Sequence, residues 1–349
     1  MIQNLKQKFI ILTGFRANLD EYKYKNLIAV VIIADTLELW YILESLILNK
    51  AFIEGRIQMI KLVIDSGADQ NQWFEENYDY GFLPLSIIVG DEQYLDREEI
   101  TLTELHNAMK DGKMPSTSQP SPGQVFEKLE EYRKNGDDVI IVSLWKEISG
   151  TYQSINSVIE EYKETHPEFK VALIDCRSGS VAGTLVAVQV LEMIKAGFTF
   201  DEVVAQAEWN AQHIRIYLTV DDLSWLVKGG RLSKTAGIVG SALNVKPILA
   251  VNDKEIHSDG VVRGNKRVYS KLVSRMIDET ADFTEQIYLI SHVDQEENAK
   301  MIEKQLKEKM PNATTMIFEF GAVLAAHIGV GGVAIAALTS KPETYIIPN

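Results

Sequence analysis

The chain is predicted to be an α/β protein made of two α/β domains. Three observations predict it. From Met59 onward, short apolar runs alternate with helix-period segments, the pattern of a mainly parallel sheet covered by helices. A second set of apolar runs begins after His213, separated from the first by no long linker, low-complexity tract or internal repeat. The 349 residues are 46% hydrophobic and 24% charged, which suits two domains with large buried cores.

The elements follow in order. Lys61–Ile64 is a short strand ending at Asp65-Ser66-Gly67-Ala68-Asp69, and Phe82–Val89 reads as a second strand. In Thr101–Met109, Leu102, Leu105 and Met109 share one helical face. Ser121 is placed to cap a helix over Pro122–Arg133, with Pro122 at its first position and Gly136 ending it. Asp138–Leu144 and Lys170–Ile174 are strands, and Gly150–Glu164 and Ser180–Lys195 are helices. Beyond His213, Arg215–Val220 is a strand, and Asp222–Val227 is a short helix stopped by Gly229-Gly230. Lys234–Leu243 reads as a helix. Val245–Val251 and Glu255–Val262 form a hairpin turning at Asn252-Asp253, and Gln286–His292 and Thr315–Phe320 are strands. The expected division is an N-terminal extension over 1–58, one domain over 59–212 and a second over 213–349.

Residues 1–58 admit two readings. Leu27 to Ala34 are apolar, but Asp35, Glu38 and Glu44 interrupt the pattern, so the stretch is too short for a membrane span and a poor signal peptide. It could be a strand and an amphipathic helix added to the fold. The preferred expectation is that Met59 is the natural start. Glu54-Gly55-Arg56 lies just upstream, and its codons can spell a purine-rich ribosome-binding site.

Charge and cysteine content exclude several functions. A net charge of −14 without a Lys/Arg cluster argues against nucleic acid, and allows at most transient contact with anionic membrane. The single cysteine, Cys176, permits no intrachain disulfide and no multi-cysteine metal site, and fits a reducing cytoplasm.

Four segments carry candidate chemistry. In Pro115–Gly123, Thr117 or Ser118 could offer a hydroxyl to an anion near a helix start; a stiff loop is the plainer alternative. Ser149-Gly150-Thr151-Tyr152-Gln153-Ser154 opens a helix after a strand, with Ser149 the natural N-cap and Gly150 leaving the backbone open to a ligand. In Lys228-Gly229-Gly230-Arg231-Leu232-Ser233, Arg231 is either solvated or shaped to pair with a carboxylate, and Ser233 can cap the next helix. His327-Ile328-Gly329-Val330-Gly331-Gly332-Val333-Ala334 matches a dinucleotide fingerprint in its spacing. The fifteen residues after Ala334 leave no room for the second strand and its acid, so it reads instead as a glycine-lined wall with His327 at the edge.

Taken in this order, the four segments resemble the DegV family of bacterial fatty-acid-binding proteins. The likeness runs from Met59 almost to Asn349. Its most specific stretches are Thr117-Ser118-Gln119-Pro120, Ser149 to Ser154 and Lys228 to Arg231, with Asn244-Val245-Lys246-Pro247-Ile248-Leu249 in support. The resemblance implies two α/β domains with a lipid-binding cleft between them. It implies one bound long-chain fatty acid and no cofactor or metal. Thr117 and Ser149 would hold the carboxylate, Arg231 and His327 would lie close to it, and Ser118, Gly150 and Thr151 are secondary candidates. The implied protein does no chemistry itself. It carries the lipid in the cytoplasm to a partner, a fatty acid kinase catalytic subunit similar to dihydroxyacetone kinases, for acyl-phosphate formation and phospholipid synthesis.

Three positions depart from the family pattern. Gly67 stands where a hydroxyl residue is usual, Cys176 where Ser is usual, and Val330 where the late motif often has Pro. The first two point to local packing, and the third bears on the placement of His327. Two alternatives remain: a stand-alone lipid-acting enzyme, although there is no G-x-S-x-G elbow, P-loop or H-E-x-x-H, and a regulatory protein with a structural lipid.

Overall fold

The computed structural model describes residues 59–232, 245–251 and 255–348. The start-site reading of residues 1–58, the helix over Lys234–Leu243, the Ser233 cap and the turn at Asn252-Asp253 lie outside the described residues.

Up to residue 213 the elements are β1 (Ile60–Asp65), α1 (Gln72–Asn77), β2 (Gly81–Leu83), β3 (Ser86–Val89), β4 (Glu92–Leu95), α2 (Leu102–Lys110), β5 (Ser116–Ser118), α3 (Pro122–Asn135), β6 (Asp138–Ser143), α4 (Thr151–Thr165), β7 (Val171–Asp175), α5 (Val181–Lys195) and α6 (Phe200–His213). Strands β2-β1-β6-β7 form a parallel sheet in that order. Strands β4-β3-β5 form a small antiparallel sheet.

The helices begin where local side chains satisfy their free N–H groups. Thr101 with Glu104, Ser121 with Gln124, and Thr199 with Glu202 are reciprocal capping boxes on α2, α3 and α6. Pro122 opens α3, and Gly136 ends it at φ 80°.

The expected strand Phe82–Val89 is two strands in two different sheets. It breaks at Pro84-Leu85, where proline offers no N–H to a ladder. The expected loop around Thr117 contains β5, which pairs with β3 in the register Thr117 to Ile87.

After residue 213 come β8 (Ile214–Thr219), α7 (Ser224–Lys228), β9 (Val245–Val251), β10 (Ile256–Arg263), α8 (Asn265–Glu279), β11 (Ile287–His292), α9 (Glu296–Lys309), β12 (Thr314–Glu319), α10 (Ala322–Ile328) and β13 (Val333–Leu338). They build one six-stranded sheet, β10-β9-β8-β13-β11-β12, antiparallel except for the β11–β12 pair.

Helix α5 joins the two layers. It packs on β1 and β6 of the parallel sheet and on β8, β11 and β13 of the six-stranded sheet. Twelve of its fifteen residues are buried, which is why it is apolar all round rather than amphipathic. The main hydrophobic cluster runs without a break from Leu62 and Ile140 through Leu185 to Leu218 and Leu289. Residues Ile60–Asn349 accordingly make one compact unit. Among the described residues no helix is long and apolar enough to cross a membrane.

Candidate functional site

Thr117, Ser149, Arg231 and His327 line a single cavity of about 40 Å³. Its other walls are apolar and come from both halves of the chain: Leu85, Leu144 and Ile148 before residue 213, and Leu226, Ile256, Val323, Leu324 and Ile328 after it. A volume of 40 Å³ holds about three water-sized groups. A more open surface depression of about 350 Å³ lies beside Trp73, Tyr78, Glu192 and Lys195 and contains none of the four.

Each polar group reaches the cavity by a local device. Thr117 sits in the middle of β5. Ser149 follows a tight turn in which the N–H groups of Ile148 and Ser149 both bond the Trp145 carbonyl. Arg231 follows α7, in which the Leu226 carbonyl accepts from the Arg231 and Leu232 N–H groups. Its guanidinium donates through Nε to the Ile148 carbonyl at 3.2 Å and through Nη1 to that of Gly229, so Arg231 bridges the two chain segments that flank the cavity. No carboxylate among the described residues pairs with it. Burial pulls its pKa down, marking a cation short of both water and counter-charge.

His327 lies on α10. Its Nε2 is 2.9 Å from Thr117 Oγ1, a contact between residues 210 apart in sequence. Its Nδ1 is buried against Gly229 with no hydrogen-bond partner among the described residues. Burial first, and the Arg231 charge second, push the imidazole pKa down to about 4, so the ring is neutral at pH 7.

The secondary candidates fare differently. Thr151 is fully buried, and its hydroxyl lies 2.8 Å from Ser149 Oγ. The N-cap of α4 is Gly150 rather than Ser149, although Ser149 Oγ still accepts from the Thr151 N–H at 3.2 Å. A Cβ at Gly150 would lie 2.7 Å from Gln119 Oε1, the far end of an exposed side chain. Ser118, next to Thr117 on β5, and both of these residues lie outside the cavity lining.

The late glycine segment corrects a further expectation. Its glycines do not line the cavity, although His327 and Ile328 do, because they are packed against the protein itself. A Cβ at Gly329 would sit 2.4 Å from the Trp225 ring, one at Gly331 2.5 Å from Asp221, and one at Gly332 2.1 Å from Ile328. The order here is helix, glycine turn, strand, the reverse of the strand–turn–helix that a dinucleotide fingerprint requires. Gly67 likewise leaves no space, since a Cβ would lie 2.6 Å from Leu144 Cβ.

Asp69 is the organising residue that sequence reasoning passed over. Its carboxyl accepts from Ser180 Oγ, from Ser291 Oγ at 2.7 Å and from the Gly321 N–H at 3.0 Å. It therefore ties the loop after β1 to the starts of α5 and α10 and to β11. Burial raises its pKa to about 6, partly offset by those hydrogen bonds. The available signal was a pair of aspartates, Asp65 and Asp69, directly after an apolar strand.

Known proteins share this architecture. The sequence profile of the DegV family, described as a family of uncharacterised proteins, matches residues 59–340. A DegV domain-containing protein of Clostridium perfringens is 32% identical over 290 residues, 82% of this chain and 100% of the relative. A structure described as a fatty acid binding DegV family protein from Streptococcus agalactiae is 28% identical with a TM-score of 0.72, over 82% of this chain and 100% of that one. A DegV family structure from Ruminococcus gnavus, refined with vaccenic acid, is 27% identical with a TM-score of 0.73, over 80% and 99%.

Proposed function

The chain belongs to the DegV family, and on that premise we propose that it carries one long-chain fatty acid, with the carboxylate held by Thr117, Ser149, Arg231 and His327. The observation that carries this is the meeting of a half-buried guanidinium with no carboxylate partner among the described residues, two hydroxyls and a neutral imidazole at one small cavity with apolar walls. That set matches a carboxylate head on an apolar tail, because an anion out of water must be paired or hydrogen-bonded. With Nε2 protonated, His327 donates to Thr117 Oγ1, and the Thr117 hydroxyl proton is then free to donate to the carboxylate.

Affinity comes mainly from the tail. Each buried CH₂ contributes about 0.8 kcal/mol, so about fifteen methylenes supply roughly 12 kcal/mol before ordering costs. A 40 Å³ cavity takes only the head group. The acyl chain must part apolar side chains such as Leu324, Ile328 and Ile256. The two α/β domains, 59–212 and 213–349, would then hold the lipid between them and present its carboxylate to a separate ATP-using fatty acid kinase subunit. In a catalytic role, a Thr117–His327 pair would rely on a base with a pKa of about 4 and an Nδ1 with no acid partner among the described residues, a weak arrangement for general-base work.

Native mass spectrometry of the purified protein should show an added mass of fatty-acid size that exchanges with added oleate. A ligand-free protein that ignores palmitate and oleate ends the carrier reading. In the same preparations, Arg231→Ala should lower kinase-coupled ATP turnover more than lipid content. Losing a charged hydrogen-bond partner costs about 1.5–3 kcal/mol, while the tail contribution stays. Turnover equal to wild type would remove Arg231 from the site.

A further inference from the structure

A second polar cluster lies outside the cavity lining, at the C-terminal ends of the parallel pair β11 and β12. The two strands pair in register, with His292 opposite Glu319, and the chain leaves β11 through Asp294 at φ 52°. Helix α2, which packs against α10, brings His106 over these strand ends. One donor atom from each of His106, Asp294 and Glu319 lies within 4.8 Å of the others.

The imidazole is the unusual member. His106 is 3% exposed, and its Nε2 has no hydrogen-bond partner among the described residues. Nε2 is buried and unpaired, and Nδ1 points to Glu319 Oε1 at 3.7 Å, beyond hydrogen-bonding reach. A buried imidazole nitrogen without a hydrogen bond is costly and calls for a partner. Asp294 and the nearby Glu296 add negative charge beside Glu319. Asp294 is ion-paired with Lys110, a half-exposed ammonium on α2.

We propose that His106, Asp294 and Glu319 form a binding site for a divalent transition-metal ion of the zinc type, with water completing the coordination. One imidazole and two carboxylates are the mixed nitrogen and oxygen donors that such ions take, whereas magnesium prefers oxygen alone. Donors around a tetrahedral ion at about 2.1 Å lie about 3.4 Å apart, so the cluster closes by about an ångström on binding. Asp294 and Glu319 are only partly buried and can make that movement by changing rotamer, with Lys110 released to solvent. The bound ion would fasten α2 to the ends of β11 and β12.

The test is titration of the chelator-stripped, full-length protein with ZnCl₂ and with MgCl₂ by calorimetry, together with metal content after dialysis. One zinc per chain is expected, with magnesium much weaker. Glu319→Gln and Asp294→Asn should each weaken zinc by about tenfold or more. Lys110→Ala should tighten it, because a competing ammonium is removed. His106→Ala should abolish binding; since this residue is buried, its circular dichroism is compared with wild type, and the two half-exposed carboxylates decide the matter if it misfolds. Absence of saturable zinc binding, zinc binding unchanged in both carboxylate variants, or magnesium binding as tight as zinc overturns the proposal.

Discussion

His327 carries a titration that stability measurements can read. Its folded pKa is about 4, against 6.5 for the free side chain, because burial disfavours the imidazolium and Arg231 repels it. A depressed pKa contributes stability that is present above 6.5 and is lost as pH falls through 4. The gap between these values corresponds to about 3 kcal/mol. Asp69 runs the other way: its raised pKa contributes stability that is present below 3.8 and is lost as pH rises through about 6. Comparing wild type with His327→Gln isolates the histidine. Urea unfolding between about pH 6.5 and 4 should show wild type losing up to about 3 kcal/mol relative to the variant as pH falls. Parallel pH profiles would mean that the ring titrates as if it were in water. Which residue types gather here was legible from four short motifs. That His327 meets Thr117 was not, because 210 residues separate them and no local pattern encodes the contact.

At the scale of elements, the glycines that the sequence marks as ligand space prove to be packing devices. Gly329 caps α10 at φ 84°, where a side chain is strained, and sits against the Trp225 ring of α7. Gly329→Ala therefore meets both a backbone penalty and a clash. It should destabilise the protein by about 2–4 kcal/mol and reduce lipid retention, since α10 carries His327. Gly90→Ala is the control. Its φ of 68° gives a similar backbone cost, but nothing lies within 4 Å of the added methyl, so a loss of about 1 kcal/mol is expected. Thermal or urea unfolding of the pair checks this, and equal losses would show that the Trp225 contact yields freely. Helix starts such as Thr101 and Ser121 were readable because a cap and its partner are three residues apart. The split of Phe82–Val89 into two sheets was marked locally only by Pro84, since partner choice depends on remote strands.

Across the whole molecule, α5 is the common core of both sheets, and Asp69 links four segments around it. The compact unit begins at Ile60. A chain shortened to start at Met59 should therefore unfold in one transition, with a midpoint close to that of the full chain, and retain as much fatty acid. Insolubility, or a much lower midpoint by calorimetry, would assign residues 1–58 a share in stability.

The sequence by itself determined the fold class, the bounds of α2 to α5 and α7 to within about two residues, and the motifs that carry the family resemblance. Periodicity, caps and turn residues act over three or four neighbours, and so are written locally. The family resemblance grouped Thr117, Ser149, Arg231 and His327, but only the tertiary structure decided that β13 lies in the middle of the second sheet, that one apolar helix serves two layers, and which apolar walls enclose the cavity that those four line. Those outcomes depend on which distant surfaces exclude water together, and burial is also what lowers the pKa of Arg231 and keeps His327 neutral.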